Sequence, residues 1–353
     1  MRRRSSDAGT FVLLALLLAA SMAASAGFGA YSFTPARMAH LLLELVRGTP
    51  VPSAEAIERN VFFTLRLPRV LLAALTGATL GVGGAVLQGL FRNPIVEPGL
   101  VGTSAGAALG AAVVFVIGVP LFAPSGPAGL VALPVFACAG GMLATALTLR
   151  IASGLGRVHV FTLLLAGIAV NALCASGTGY LAYVARDPQA RNITFWSLGT
   201  FTTASWRSTG VVAVAFAIGM AGVLRDARSL NALMLGEDVA ASLGVDPRTL
   251  TRRLLVYNTL MVAVATAAVG VIAFVGLVVP HVLRLTRSSN HAFLVPASAL
   301  LGATFCELVD VAARLVIRPA ELPIGVLTAL VGAPIFLLLL VRARDSGAPP
   351  ARG

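Results

Sequence analysis

Residues 66–106 read RLPRVLLAALTGATLGVGGAVLQGLFRNPIVEPGLVGTSAG, and this stretch decides the fold. An Arg-Leu-Pro-Arg segment leads into a glycine-studded apolar run. A polar break follows from Gln88 to Pro98, then a second glycine-rich run. A helix that merely crosses a bilayer needs no glycine. Gly77, Gly81, Gly83 and Gly84 let helix backbones approach closely. Asn93, Pro94, Glu97 and Pro98 break a helix at a membrane edge. Broken backbone is tolerated there only against protein or a water-filled path. The pattern suits the interior of a transport machine.

Composition extends that reading to the whole chain. Of 353 residues, 58% are hydrophobic and 11% charged. No soluble domain has this balance, so the chain is expected to be an all-α polytopic membrane protein, one transmembrane domain over 1–353. All 26 basic residues are Arg, with no Lys. A G-x-x-x-x-G-K-[ST] phosphate loop is therefore impossible, and any ATP motor must be another subunit. The net charge of +12 comes from Arg scattered between apolar runs. That fits the positive-inside bias of membrane loops and not nucleic acid. Cys138, Cys174 and Cys306 lie inside apolar runs without metal spacing and read as core residues. H-E-x-x-H and G-x-S-x-G motifs are absent, so no enzyme activity, catalytic residue, bound metal or cofactor is expected.

A span needs about 20 apolar residues. Ten candidates follow: 11–30, 67–90, 99–119, 128–149, 159–184, 207–224, 253–274, a short one at 276–287, 293–316 and 324–341. The stretch 253–287 is too short for two full spans, so the member holding Pro280 is expected to be short or broken. The first run imitates a secretory signal through Arg2–Arg4 and Ala24-Ser25-Ala26. Its length favours an uncleaved helix. Most Arg residues fall in loops that an orientation with both termini cytoplasmic places inside. Spans two to five and seven to ten echo each other faintly, as two four-span units around span six.

Two segments are not spans. Residues 31–60 read as an amphipathic periplasmic connection. Residues 225–252 form the longest polar stretch on the inside. Leu230, Leu233, Met234 and Leu235 sit at helical spacing before Gly236. Glu237-Asp238 then opens a second short helix, ended by Gly244. Two short capped helices make a knob, either a plain connector or a docking surface.

Several segments in order resemble the FecCD family of ABC permeases, over roughly 60–340. They are RLPR at 66–69, GAVLQGLFRNPIVEPGLVGTSAG at 84–106, LLLAGIAVNAL at 163–173, FWSLGT at 195–200, LGEDVAASLG at 235–244, AFVGLVVPHVLRL at 273–285 and AELPIGVLTALVGAPIF at 320–336. The resemblance implies a type II importer fold of ten helices, working as a homodimer in the bacterial inner membrane. It implies two cytoplasmic ATPase subunits, which carry the ATP and Mg, and a periplasmic substrate-binding protein. Leu235, Gly236, Glu237, Asp238, Ala241 and Gly244 would couple to the ATPase. Asn93 and Ile95 would form one part of a cytoplasmic constriction, and Val160 and Phe161 the other. At the latter pair the sequence is bulkier and more apolar than the family's vitamin B12 permease, which carries small hydroxyl residues.

Within the family, RDPQARNITFWSLGT at 186–200 looks most like the heme-import branch. Heme is an apolar macrocycle with two propionates, and one Arg near the mouth would attract them without trapping the ring. Arg191 is the candidate, with Arg186 second, although an Arg at a helix end also serves as an interface anchor. Phe195, Trp196 and Trp206 would stack on a porphyrin or anchor at the interface. His159 and His291 are expected to be solvated, His40 periplasmic and His281 structural. Asp310 and Arg314, one turn apart, are expected to pair. An iron-siderophore or cobalamin cargo is the near alternative. A proton-coupled transporter using Glu307 and Asp310 is the distant one.

Overall fold

In lipid these apolar runs satisfy their backbones only as helices. The computed structural model describes residues 2–29, 31–47, 56–118, 127–154, 157–158, 160–317 and 320–345. Helix α1 spans Arg2–Gly27, α2 Pro35–Arg47 and α3 Ala56–Asn60. A π-helical segment, Val61–Arg66, carries α3 without a break into α4 (Leu67–Leu90). Next come α5 (Thr103–Val113), α6 (Pro127–Ala152), α7 (Val160–Val184) and α8 (Gln189–Ser197). The chain then forms α9 (Trp206–Met234), α10 (Glu237–Ser242), α11 (Pro247–Val269), α12 (Val275–Thr286), α13 (His291–Val316) and α14 (Ile324–Asp345). Ser153–Gly154 pairs antiparallel with Arg157–Val158 between α6 and α7.

Among the described residues, seven helical stretches are long and apolar enough to cross a membrane. Thr103–Gly118, Val275–Thr286 and Ile324–Leu338 are shorter apolar helices. Together they account for the ten expected runs. The helix with Pro280 is the short one, at 12 residues.

Two boundaries differ from expectation. The second span starts at Ala56 and not at 67, because the helix continues through Pro68. Proline has no N–H and crowds the preceding turn; the wider π turn just before it accommodates both. The connection before it therefore ends at residue 55. The first helix of the 225–252 knob is not separate either. It is the end of α9, which runs 29 residues to Met234.

Helix α4 is the centre. Of its most apolar window, 89% is buried, against 22% for α1 and 28% for α7. It packs against α13, α9, α12, α11 and α1. Glycine makes two of these crossings possible. A Cβ on Gly77 would strike the backbone carbonyl of Gly302 in α13, and one on Gly84 that of Gly276 in α12. With no side chain between them, backbones lie in direct van der Waals contact.

Candidate functional site

The break after α4 is a re-entrant turn. Arg92 adopts a left-handed backbone, φ 48°. The Asn93 N–H donates to the Gln88 carbonyl at 3.2 Å, and its Oδ1 accepts from the Ile95 N–H at 3.1 Å. This Asx turn reverses the chain. Val96 is buried, Glu97 is extended, and Pro98–Val101 forms one turn of 3-10 helix. Gly102, φ 96°, then opens α5. A Cβ on Gly276 would lie 2.9 Å from Pro98 Cδ. Gly276 also touches Gly84, six residues before the end of α4. The chain has thus climbed back about 9 Å into the bundle, at 1.5 Å per helical residue.

That segment is tied to α7. Asn171 Nδ2 donates to the Gly99 carbonyl at 3.1 Å, and the Leu100 carbonyl fills the space a Cβ on Gly167 would need. Phe161, at the start of α7, is 74% exposed, and Ile95 39%. The side chain of Val160 lies outside the described residues. Asn93 and Ile95 make only local hydrogen bonds among the described residues, so the tie to α7 runs through Gly99 and Leu100.

The 235–244 knob is compact and anchored. Gly236 (φ 124°) follows the end of α9 and Gly244 (φ 79°) the end of α10. Ala240 is fully buried in a cluster with Leu230, Leu233, Leu250 and Leu254. Leu235, at the end of α9, and Val239 and Leu243, four residues apart along α10 and its C-cap, are 70%, 42% and 63% exposed. Asp238 and Ala241 are exposed, while Gly236 and Glu237 are half-buried. Asp246 caps α11, accepting from the Arg248 and Thr249 N–H groups and the Thr249 hydroxyl. The Thr249 hydroxyl bond first, then the Arg248 amide, hold its carboxyl below the ordinary value of 3.8.

At the opposite end of α7, Arg186 and Arg191 are exposed, and Phe195 is 54% exposed. Arg191 has no hydrogen-bond or ion-pair partner among the described residues. Trp196 is half-buried and packs against Ala107, Ala111, Ala137 and Ala267. Trp206 Nε1 donates to the Phe63 carbonyl at 2.9 Å. His291 corrects expectation. It is fully buried, with Nδ1 2.8 Å from Asn231 Oδ1, because it starts α13 beneath Gly89. His40 is exposed beside Glu44, and His159 lies outside the described residues. No group of three or more His, Cys, Asp or Glu suits a metal among the described residues.

The expected Asp310–Arg314 pair is present at 2.8 Å, but it belongs to a larger cluster. Arg69 pairs with both Asp310 and Glu321 at 2.8 Å. Arg314 also donates to the Ser25 and Phe28 carbonyls. Arg69 was visible in RLPR, but its partner lies 241 residues away and no local spacing joins them.

A bundle of apolar helices, two of them begun inside the bundle, with a re-entrant turn and an anchored polar knob, defines a multi-pass transport subunit. The chain belongs to the FecCD transport family, whose profile matches residues 16–342. It is 41% identical over 290 residues to the hemin transport system permease HmuU of Yersinia pestis, covering 81% of this chain and 84% of that one. It is 40% identical over 283 residues to the vitamin B12 import permease BtuC of Escherichia coli, covering 79% and 83%. A solved inward-facing ABC transporter of metal-chelate type matches with TM-score 0.79 and 33% identity, over 93% of this chain and 97% of that one. The chain is therefore the permease of a FecCD-family ABC importer, a membrane transport subunit and not an enzyme.

Proposed function

We propose that this permease carries heme across the bacterial inner membrane, as a homodimer with both termini of each chain cytoplasmic. Two ATPase subunits seat on the Leu235–Gly244 knobs and hold the ATP and Mg. A periplasmic binding protein delivers the cargo. The observation that carries the cargo reading is the exposed Arg191 beside exposed Phe195 on α8. A cation attracts propionates and an aromatic face suits a macrocycle. The similarity to a hemin permease supports it. Closure of the ATPase dimer would draw the knobs together, and the Asn93–Ile95 turn and the start of α7 would reorient. Of the two carboxylates in the proton-relay alternative, Asp310 is already held by Arg69 and Arg314, and Glu307 is buried near them on α13.

A cobalamin cargo is the second reading, favoured by the near-equal identity to a vitamin B12 permease. The test is uptake of labelled heme, ferri-hydroxamate siderophore and cobalamin in a strain lacking the gene. Loss of heme uptake alone is expected, restored by the wild-type gene and not by an Arg191→Ala copy. Loss of cobalamin or siderophore uptake with heme uptake intact overturns the heme assignment.

A further inference from the structure

A helix that begins inside a packed bundle leaves its first N–H groups without water or intrahelical partners. Helix α12 has this problem, and its N-cap residue Phe274 has no side-chain cap of its own. The partner comes from 177 residues earlier: Glu97 Oε2 accepts from the Phe274 N–H at 3.2 Å. The two broken segments of the bundle therefore meet, one at Glu97 and one at Phe274.

Backbone conformation marks the same place. Arg92 (φ 48°) and Phe274 (φ 67°) are the non-glycine residues with left-handed backbone among those described. Such conformations persist where the surroundings over-determine them, and they cluster at switch regions. One opens the re-entrant turn, the other opens α12, and Glu97 stands between them. On its other side the segment is held by Asn171 of α7. Asn171 Oδ1 is buried and unpaired, so the Nδ2 bond to Gly99 is the one hydrogen bond its side chain makes among the described residues. A half-satisfied amide in an apolar helix is costly, which fits a positioning role better than a packing one.

We propose that Glu97 and Asn171 are positioning residues that tie the Asn93–Ile95 turn to α12 and α7, so that both parts of the constriction move as one unit. The proposal rests on reading residues 93–95 and 160–161 as the cytoplasmic gate. Neither residue needs to touch cargo. Glu97 acts as an acceptor, so an amide at that position keeps the link.

The test uses the assembled importer in membrane vesicles. Ile95→Cys is labelled with a water-soluble maleimide, after Cys138, Cys174 and Cys306 are replaced by alanine. Labelling is expected to change severalfold when a non-hydrolysable ATP analogue is added. Glu97→Ala and Asn171→Ala should each bring that ratio to unity, and Glu97→Gln should keep it. If Glu97→Ala does not accumulate in membranes, Asn171→Ala and Glu97→Gln decide the matter. A normal ratio in both alanine variants, or a lost ratio in Glu97→Gln, overturns the proposal. No nucleotide dependence in the Ile95→Cys reference overturns the gate assignment beneath it. Labelling needs no cargo, so a wrong cargo assignment leaves the result readable.

Discussion

Asp310 shows how much one buried carboxylate decides. Its side chain is wholly buried, and the arginines that hold it come from α4 and from its own helix. Removing one partner of a buried ion pair leaves an uncompensated charge, at a cost of about 3–5 kcal/mol. Asp310→Asn is expected to lose that much, read as a lower Tm of the detergent-purified protein. Glu321, whose side chain is 35% exposed, pairs with the same Arg69. Glu321→Gln should cost no more than about 1 kcal/mol in the same assay, because solvent screens an exposed pair. The i,i+4 half of this cluster was legible in the sequence; the Arg69 half was not, since it needs α4 and α13 laid side by side.

Among elements, the crossings of α4 depend on missing side chains. Gly84→Ala drives a methyl group into the Gly276 carbonyl, and backbone cannot step aside as a side chain can. A loss of about 1–3 kcal/mol is expected in thermal unfolding. Gly210, in α9, has open space where a Cβ would go. Gly210→Ala should therefore stabilise by about 0.5–1 kcal/mol through helix propensity alone. The N-cap of α11 makes a separate, pH-dependent contribution. The folded-state pKa of Asp246 is lowered, so its cap acts in full above pH 3.8 and fades as pH falls through the lowered value. Hydrogen exchange at Arg248 and Thr249 should be faster in Asp246→Ala than in wild type at neutral pH. The two proteins should converge once the wild-type carboxyl is protonated.

For the molecule as a whole, the knob at 235–244 is where transport would be coupled to a motor. It is held from within by Ala240 and offers Leu235, Val239 and Leu243 outward. Glu237→Arg or Leu243→Glu should weaken co-purification of the ATPase subunit at least tenfold, about 1.4 kcal/mol. The permease itself should remain folded, because Leu243 is exposed and Glu237 is half-buried away from the bundle core. Wild-type assembly together with wild-type uptake in both variants would remove the knob from the coupling route.

The sequence alone determined the class of fold. Hydropathy set the ten apolar helices, because backbone in lipid has no other way to satisfy its hydrogen bonds. Glycine and proline marked the close crossings and the break at 91–98, and the want of any lysine excluded a phosphate loop. Tertiary structure alone decided which helix is central, where His291 goes, and what meets what across the chain. Arg69 with Asp310, Glu97 with Phe274 and Asn171 with Gly99 are contacts between residues far apart in sequence. No local periodicity encodes such pairs; they exist only once the packing of whole helices has brought the groups within hydrogen-bonding distance.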